Sequence, residues 1–287
     1  MKNREVIDRI LAYHPYLEGY EGCDEFKAGN PEEECRGIAC ALVPTVEVLK
    51  KCAELGCNLL LVHEPLYYQT PDFPAWRGNF ENEVQKEKEA LIREYGITIW
   101  RDHDHMHAHN PDSIFTGVIH YLGWDDYYVG DESTSRRFYF PIVLPETTVG
   151  ELGRHLMETL HLNGLRYLGR AEDKISKVAI VGHLYPNSFG EEGIQPDGSY
   201  TEFGTKVMEL MEKEGIQVIL PGEIIEWTVL AYIRDAIALG KVKACMNLGH
   251  FNFEELGMRY MADWLPDLVD HSLPVSYIPT GDMYSFL

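Results

Sequence analysis

Between Gly37 and Val62 a short apolar run, a helix closed by glycine and a second apolar run follow one another, and this unit limits the possible folds more than any other feature. Gly37–Val43 (GIACALV) has the length of a buried strand. Pro44-Thr45 opens an amphipathic segment, VEVLKKCAELG, that Gly56 ends as a C-cap. Asn58–Val62 (NLLLV) is apolar throughout, as a strand covered on both faces must be. A βαβ unit follows, and with it a parallel sheet carrying helices. The same alternation continues. Helices are predicted over Asn82–Tyr95, Asp112–Leu122, Val149–Leu160, Phe203–Glu214, Glu226–Leu239 and Glu254–Trp264. Strands are predicted over Ile97–Trp100, Phe138–Leu144, Lys177–Gly182, Val218–Leu220 and Ala244–Leu248. The fold class is α/β. The polar stretch Asp125–Arg137 interrupts the pattern and marks a boundary between halves at 1–128 and 129–287. Ser188–Thr201, with its glycines and proline, reads as a loop over a site.

The chain has 287 residues, 45% of them hydrophobic, enough for one large core or two. The first residues, MKNREVIDRILAYHP, place Val6, Ile7, Ile10 and Leu11 at helical spacing and lack the apolar centre of a signal peptide. No run reaches the ~18 apolar residues of a membrane span, and a cytoplasmic protein is expected. The balance of 25 basic against 46 acidic residues gives a net charge of −21, which repels nucleic-acid backbones and anionic membranes. The six cysteines form no CxxC pair and read as reduced thiols. Fingerprints of P-loops, dinucleotide-binding turns and Gly-x-Ser-x-Gly elbows are missing.

In parallel α/β sheets ligands gather at the carboxyl ends of strands. NLLLV ends in His63-Glu64-Pro65. Two readings stand there: a pair of ligands, or a histidine satisfying a carbonyl beside a solvated glutamate. ITIW runs into Arg101-Asp102-His103-Asp104-His105-Met106-His107-Ala108-His109, which holds a third of the chain's 12 histidines; an extended backbone would set all four on one side. ACMNL ends in Gly249-His250, with Glu254 at the start of the next helix, where capping is the competing role. QVIL leads to Glu223, a cap or a support for a ligand, and KVAIVG ends at His183. Taken together, these imidazoles and carboxylates suffice for two divalent ions, and mixed N/O donors suit Zn, Fe(II), Mn or Ni alike.

These motifs, in this order, resemble the NIF-three-like family (NGG-one-interacting factor three), some of whose members carry the label type-2 GTP cyclohydrolase-like. The family's His-His-Pro is here His63-Glu64-Pro65, its His-Thr-Asn-Leu-Asp is His103–His107, its Thr-Gly-Glu is Pro221-Gly222-Glu223, and its Gly-His-x-x-x-Glu is Gly249, His250 and Glu254. The resemblance implies two interlinked α/β domains with mixed, largely parallel sheets, a hexameric ring of identical chains, and a dinuclear metal centre. Its ligands would be His63, Glu64, His107, His250 and Glu254. His103, His105 and Glu223 would be proton carriers or supports of the ligands. Glu64 replaces a histidine and His107 an aspartate, so the numbers of imidazoles and carboxylates are kept. The expected function is metal-dependent hydrolysis of a nucleotide or other phosphorylated small molecule. The alternative is a metal carrier, store or assembly scaffold without catalysis.

Overall fold

The computed structural model describes residues 1–68, 82–135, 137–186, 188 and 192–287. In chain order it contains α1 (Asn3–Tyr13), β1 (Phe26–Ala28), β2 (Ile38–Ala41), α2 (Val46–Glu54), β3 (Leu59–Val62), α3 (Glu83–Tyr95), β4 (Thr98–Arg101), α4 (Asp104–His107) and α5 (Ser113–Tyr121). Then come α6 (Glu132–Ser135), β5 (Tyr139–Thr148), α7 (Val149–Thr159), β6 (Arg166–Leu168), β7 (Lys174–Val181), β8 (Gly193–Ile194) and β9 (Tyr200–Thr201). The chain closes with α8 (Phe203–Glu214), β10 (Val218–Pro221), α9 (Val229–Ala238), β11 (Ala244–Asn247), α10 (His250–Leu268) and β12 (Val275–Tyr277).

The chain divides into two compact units, one of Met1–Val118 with Glu254–Gly281, the other of Ile119–Phe253 with Asp282–Leu287. They are therefore not sequential halves meeting near residue 128: the chain returns to unit 1 at Glu254. The reason is pairing. β12 lies parallel to β2, with Val275 opposite Ile38, so a late segment completes an early sheet.

The sheet of unit 1 has the order β1-β4-β3-β2-β12. Only β1 runs antiparallel in it. β2, β3 and β4 are buried at every position. Leu59, Leu60, Leu61 and Val62 are fully buried, each contributing about 2 kcal/mol of apolar transfer. Helix α2 packs Val48, Leu49 and Cys52 onto this layer. It starts at Thr45, whose side chain accepts the Val48 N–H, and Gly56 follows it at φ +72°, a left-handed turn that disfavours a side chain.

The sheet of unit 2 has the order β5-β7-β10-β11-β6, parallel at its centre and antiparallel at both edges. Helices α8 and α9 cover it with Val207, Met211, Val229 and Ile233. A capping box between Thr148 and Glu151 starts α7. β8 and β9 form a small hairpin inside the segment expected as a loop, part of which (189–191) lies outside the described residues. All six cysteines are buried free thiols. No helix among the described residues is long and apolar enough to cross a membrane.

Candidate metal centre

Register aligns the strand ends of unit 1. Ala41 pairs with Val62, and Val62 with Arg101, so His63 and the Asp102–His109 segment leave the sheet at one edge. The latter segment is not extended. It turns at once into α4, because the Asp24 carboxylate accepts the N–H groups of His103, Asp104 and His105 and so caps a new helical turn. Helical spacing splits the four histidines into two pairs. His103 and His107 face His63. His105 turns to Asp24 at 2.8 Å, and His109 meets His14 at 2.6 Å.

The rings of His63, His103 and His107 stand 4.5–4.9 Å apart, centroid to centroid. One ligating atom from each lies within 4.8 Å of the others. An oxygen fixes the Nδ1 of each ring. His63 donates to the Asp102 carbonyl at 3.0 Å, His103 to Asp104 Oδ1 at 2.7 Å, and His107 to Asp112 Oδ2 at 2.7 Å. That pattern sets the tautomer and leaves Nε2 as the nitrogen that could ligate an ion, the arrangement that partners of metal-binding histidines impose. The His63 carbonyl in turn accepts from the buried Arg101 guanidinium at 2.8 Å.

The fit to a cation is tested most sharply at His63. Its side chain is fully buried, yet its Nε2 has no hydrogen-bond partner. Such an orphan costs about 1–3 kcal/mol. The nearest carboxylate, Glu254 Oε2, is at 3.6 Å. Burial and the neighbouring His103 and His107 hold the imidazole well below its usual pKa, so it keeps a lone pair on Nε2. At His107 burial opposes the charge, but Asp112 and Glu254 outweigh it and raise the pKa to about 9. The residues fit a divalent ion, which would take up the lone pair on His63 and replace the proton on His107.

Glu254 is 2% exposed and stands one turn inside α10, which starts at His250 rather than near Glu254. It therefore does not cap that helix. Glu64 follows His63 half-buried and is not among the donors that gather with it. His105, hydrogen-bonded to Asp24, has its pKa raised by that contact.

In unit 2, Val181 pairs with Pro221, so Gly182-His183 and Gly222-Glu223 leave the sheet side by side. His250 follows β11 at the start of α10. The His183 and His250 rings are 4.4 Å apart, and His250 Nδ1 is 3.5 Å from Glu223 Oε1. The Glu223 backbone N–H donates to His183 Nδ1 at 3.0 Å. In its neutral form His183 therefore carries its proton on Nε2 and is a hydrogen-bond donor rather than a ligand. Gly222 permits this approach: a Cβ there would come within 2.5 Å of His183 Nδ1.

Sequence reasoning missed the acceptors that orient the rings. Asp112, five residues after His107 and just before a helix, carried a readable signal as a cap. Asp24, some eighty positions upstream, carried none.

A sequence profile of the family described as Duf34/NIF3 (NGG1p interacting factor 3) matches residues 25–183, more than half of the chain. A Clostridium perfringens (strain 13 / Type A) protein named GTP cyclohydrolase 1 type 2 homolog is 26% identical over 264 residues, covering 88% of this chain and 87% of its own length. The structure of a Staphylococcus aureus hypothetical protein superposes with a TM-score of 0.70 at 14% identity, over 100% of this chain and 99% of its own. That of a Bacillus cereus protein related to NIF3 does so with a TM-score of 0.68 at 15% identity, again over 100% and 99%. With these likenesses added to the matched profile, the chain belongs to the Duf34/NIF3 family.

Proposed function

We propose that this protein binds divalent transition-metal ions and uses them to hydrolyse a nucleotide or other phosphorylated small molecule. The observation that carries the proposal is His63 Nε2, buried and without a hydrogen-bond partner among imidazoles whose Nδ1 atoms are all tied to oxygen. His63, His103, His107 and Glu254 would hold an ion in unit 1; this set differs from the sequence expectation by including His103. His250, with Glu223 beside it, would serve a second ion in unit 2, with Glu64 a weaker candidate ligand. Zn, Fe(II), Mn and Ni all suit such donors. When bound, the metal would supply Lewis acidity and offset the charge of a phosphate approaching a chain of net charge −21. Asp102, Asp104 and Asp112 keep the imidazoles in one tautomer, while His183 presents a proton on Nε2 to a group near His250. His105 is held by Asp24 away from His63, which favours a supporting role over proton transfer. A cytoplasmic ring of six identical chains is part of the same proposal, drawn from the family resemblance.

The test is metal content by elemental analysis, followed by turnover of a nucleotide and phosphoester panel with Zn, Mn and Fe(II). The expected result is metal in the wild type, a lower content in His63→Ala with His107→Ala, where only the ion beside His250 would remain, and metal-stimulated phosphate or nucleoside release by the wild type alone. Equal metal content in wild type and double variant would overturn the site. Tight binding with no turnover would favour the carrier or store.

A further inference from the structure

Unit 2 contains a cavity of about 420 Å³ that uses none of the donors above. One wall is the edge pair β6 and β11, where Leu168 stands opposite Cys245 and Arg166 opposite Asn247. The other wall is α9, which contributes Leu230 and Ala231 and, one turn on, Arg234. The floor of Leu168, Leu230, Ala231 and Cys245 is apolar, and Tyr167, 47% exposed, adds an aromatic face. The rim is polar and carries two guanidinium groups in a chain where acidic residues outnumber basic ones by 46 to 25. Arg166 is paired with Glu226 at 2.6 Å, but both side chains are about 70% exposed, so water screens the pair. Arg234 has no ion-pair or hydrogen-bond partner among the described residues. Asn247 ends β11 and Glu226 follows β10, so this part of the rim lies at the carboxyl ends of the strands, where parallel sheets bind ligands, with Arg234 further along α9. The volume suits a small organic molecule.

We propose that this cavity binds a small organic anion, with an aromatic or alkyl body against the Leu168–Leu230–Cys245 floor and a single carboxylate, sulfonate or phosphate group at Arg234. A neutral molecule of the same shape lacks the ion pair, and a bare inorganic anion lacks the floor; both bind more weakly.

Two dyes with the same ring system make the test. 8-Anilinonaphthalene-1-sulfonate carries the negative group, and N-phenyl-1-naphthylamine does not. Each is titrated into the full chain without added metal and followed by fluorescence, with circular dichroism as the check on folding. The expected result is one sulfonate site per chain, about tenfold tighter than the neutral dye, the scale of one charge-assisted hydrogen bond. Arg234→Gln should weaken the sulfonate about tenfold and leave the neutral dye unchanged. Ala231→Trp, which fills the cavity from an exposed helix position, should abolish both. Sulfonate affinity that survives either substitution, no preference between the dyes, or no saturable site in the wild type overturns the proposal.

Discussion

Replacing Asp112 by asparagine separates two tasks of one side chain. Oδ1 accepts the Phe115 N–H at 3.1 Å and caps α5, while Oδ2 accepts from His107 Nδ1 at 2.7 Å. Asparagine has one acceptor and one donor for those two places. If the carbonyl keeps the cap, the amide N–H faces Nδ1. The ring must then accept there and carry its proton on Nε2, the nitrogen directed at His63 and His103. If instead the amide flips, His107 keeps its tautomer, but the cap loses about 1 kcal/mol and a donor is set against the Phe115 N–H. Either route also removes the carboxylate charge that makes the imidazole a better ligand. Together they predict a loss of metal affinity of about 10–100-fold, or about 1.4–2.7 kcal/mol. The assay is competition for Zn against a chromophoric chelator at pH 7.5, comparing wild type, Asp112→Asn and Asp112→Ala. A folded Asp112→Asn protein that binds Zn within twofold of the wild type would refute the tautomer argument.

Lys88 is 3% exposed and donates to the Leu66 carbonyl at 2.6 Å, and burial lowers its pKa from 10.5 to about 8. Between those values the unfolded chain binds the extra proton, so wild-type stability rises with pH. Relative to Lys88→Met it should gain roughly 3 kcal/mol from pH 8 to 10.5, read by urea denaturation; a flat difference contradicts this. Leu60→Ala, at a fully buried position in the sheet of unit 1, should cost about 2–5 kcal/mol in the same assay, against less than 0.5 kcal/mol for a solvated surface change. Gly222→Ala should push His183 off the Glu223 N–H, which ¹⁵N shifts of the ring nitrogens would report as a mixed tautomer; an unchanged spectrum counts against the close packing.

Much of the fold was legible because fully buried strands are continuous apolar runs and glycines end helices at positive φ, as at Gly56, Gly96, Gly215 and Gly240. In the two five-stranded sheets the strands without a sequence signal, β1, β6 and β12, have three residues each and lie at sheet edges, where half-exposed positions carry no pattern; β8 and β9, two residues each, are shorter still. His63 was legible as a donor following an apolar strand. The geometry of His103–His109 was not, because alternation in sequence suggests an extended chain. The helical turn is imposed by Asp24, a tertiary partner that overrides local preference. Glu254 was assigned to the second half for a related reason: nothing local announces that β12 pairs with β2.

That pairing has a consequence for biosynthesis. An amino-terminal fragment ending near Val118 would lack both the edge partner of β2 and the carboxylate beside His63. Although Met1–Val118 precedes unit 2 along the chain, unit 1 can thus close only once the segment through Tyr277 has been made.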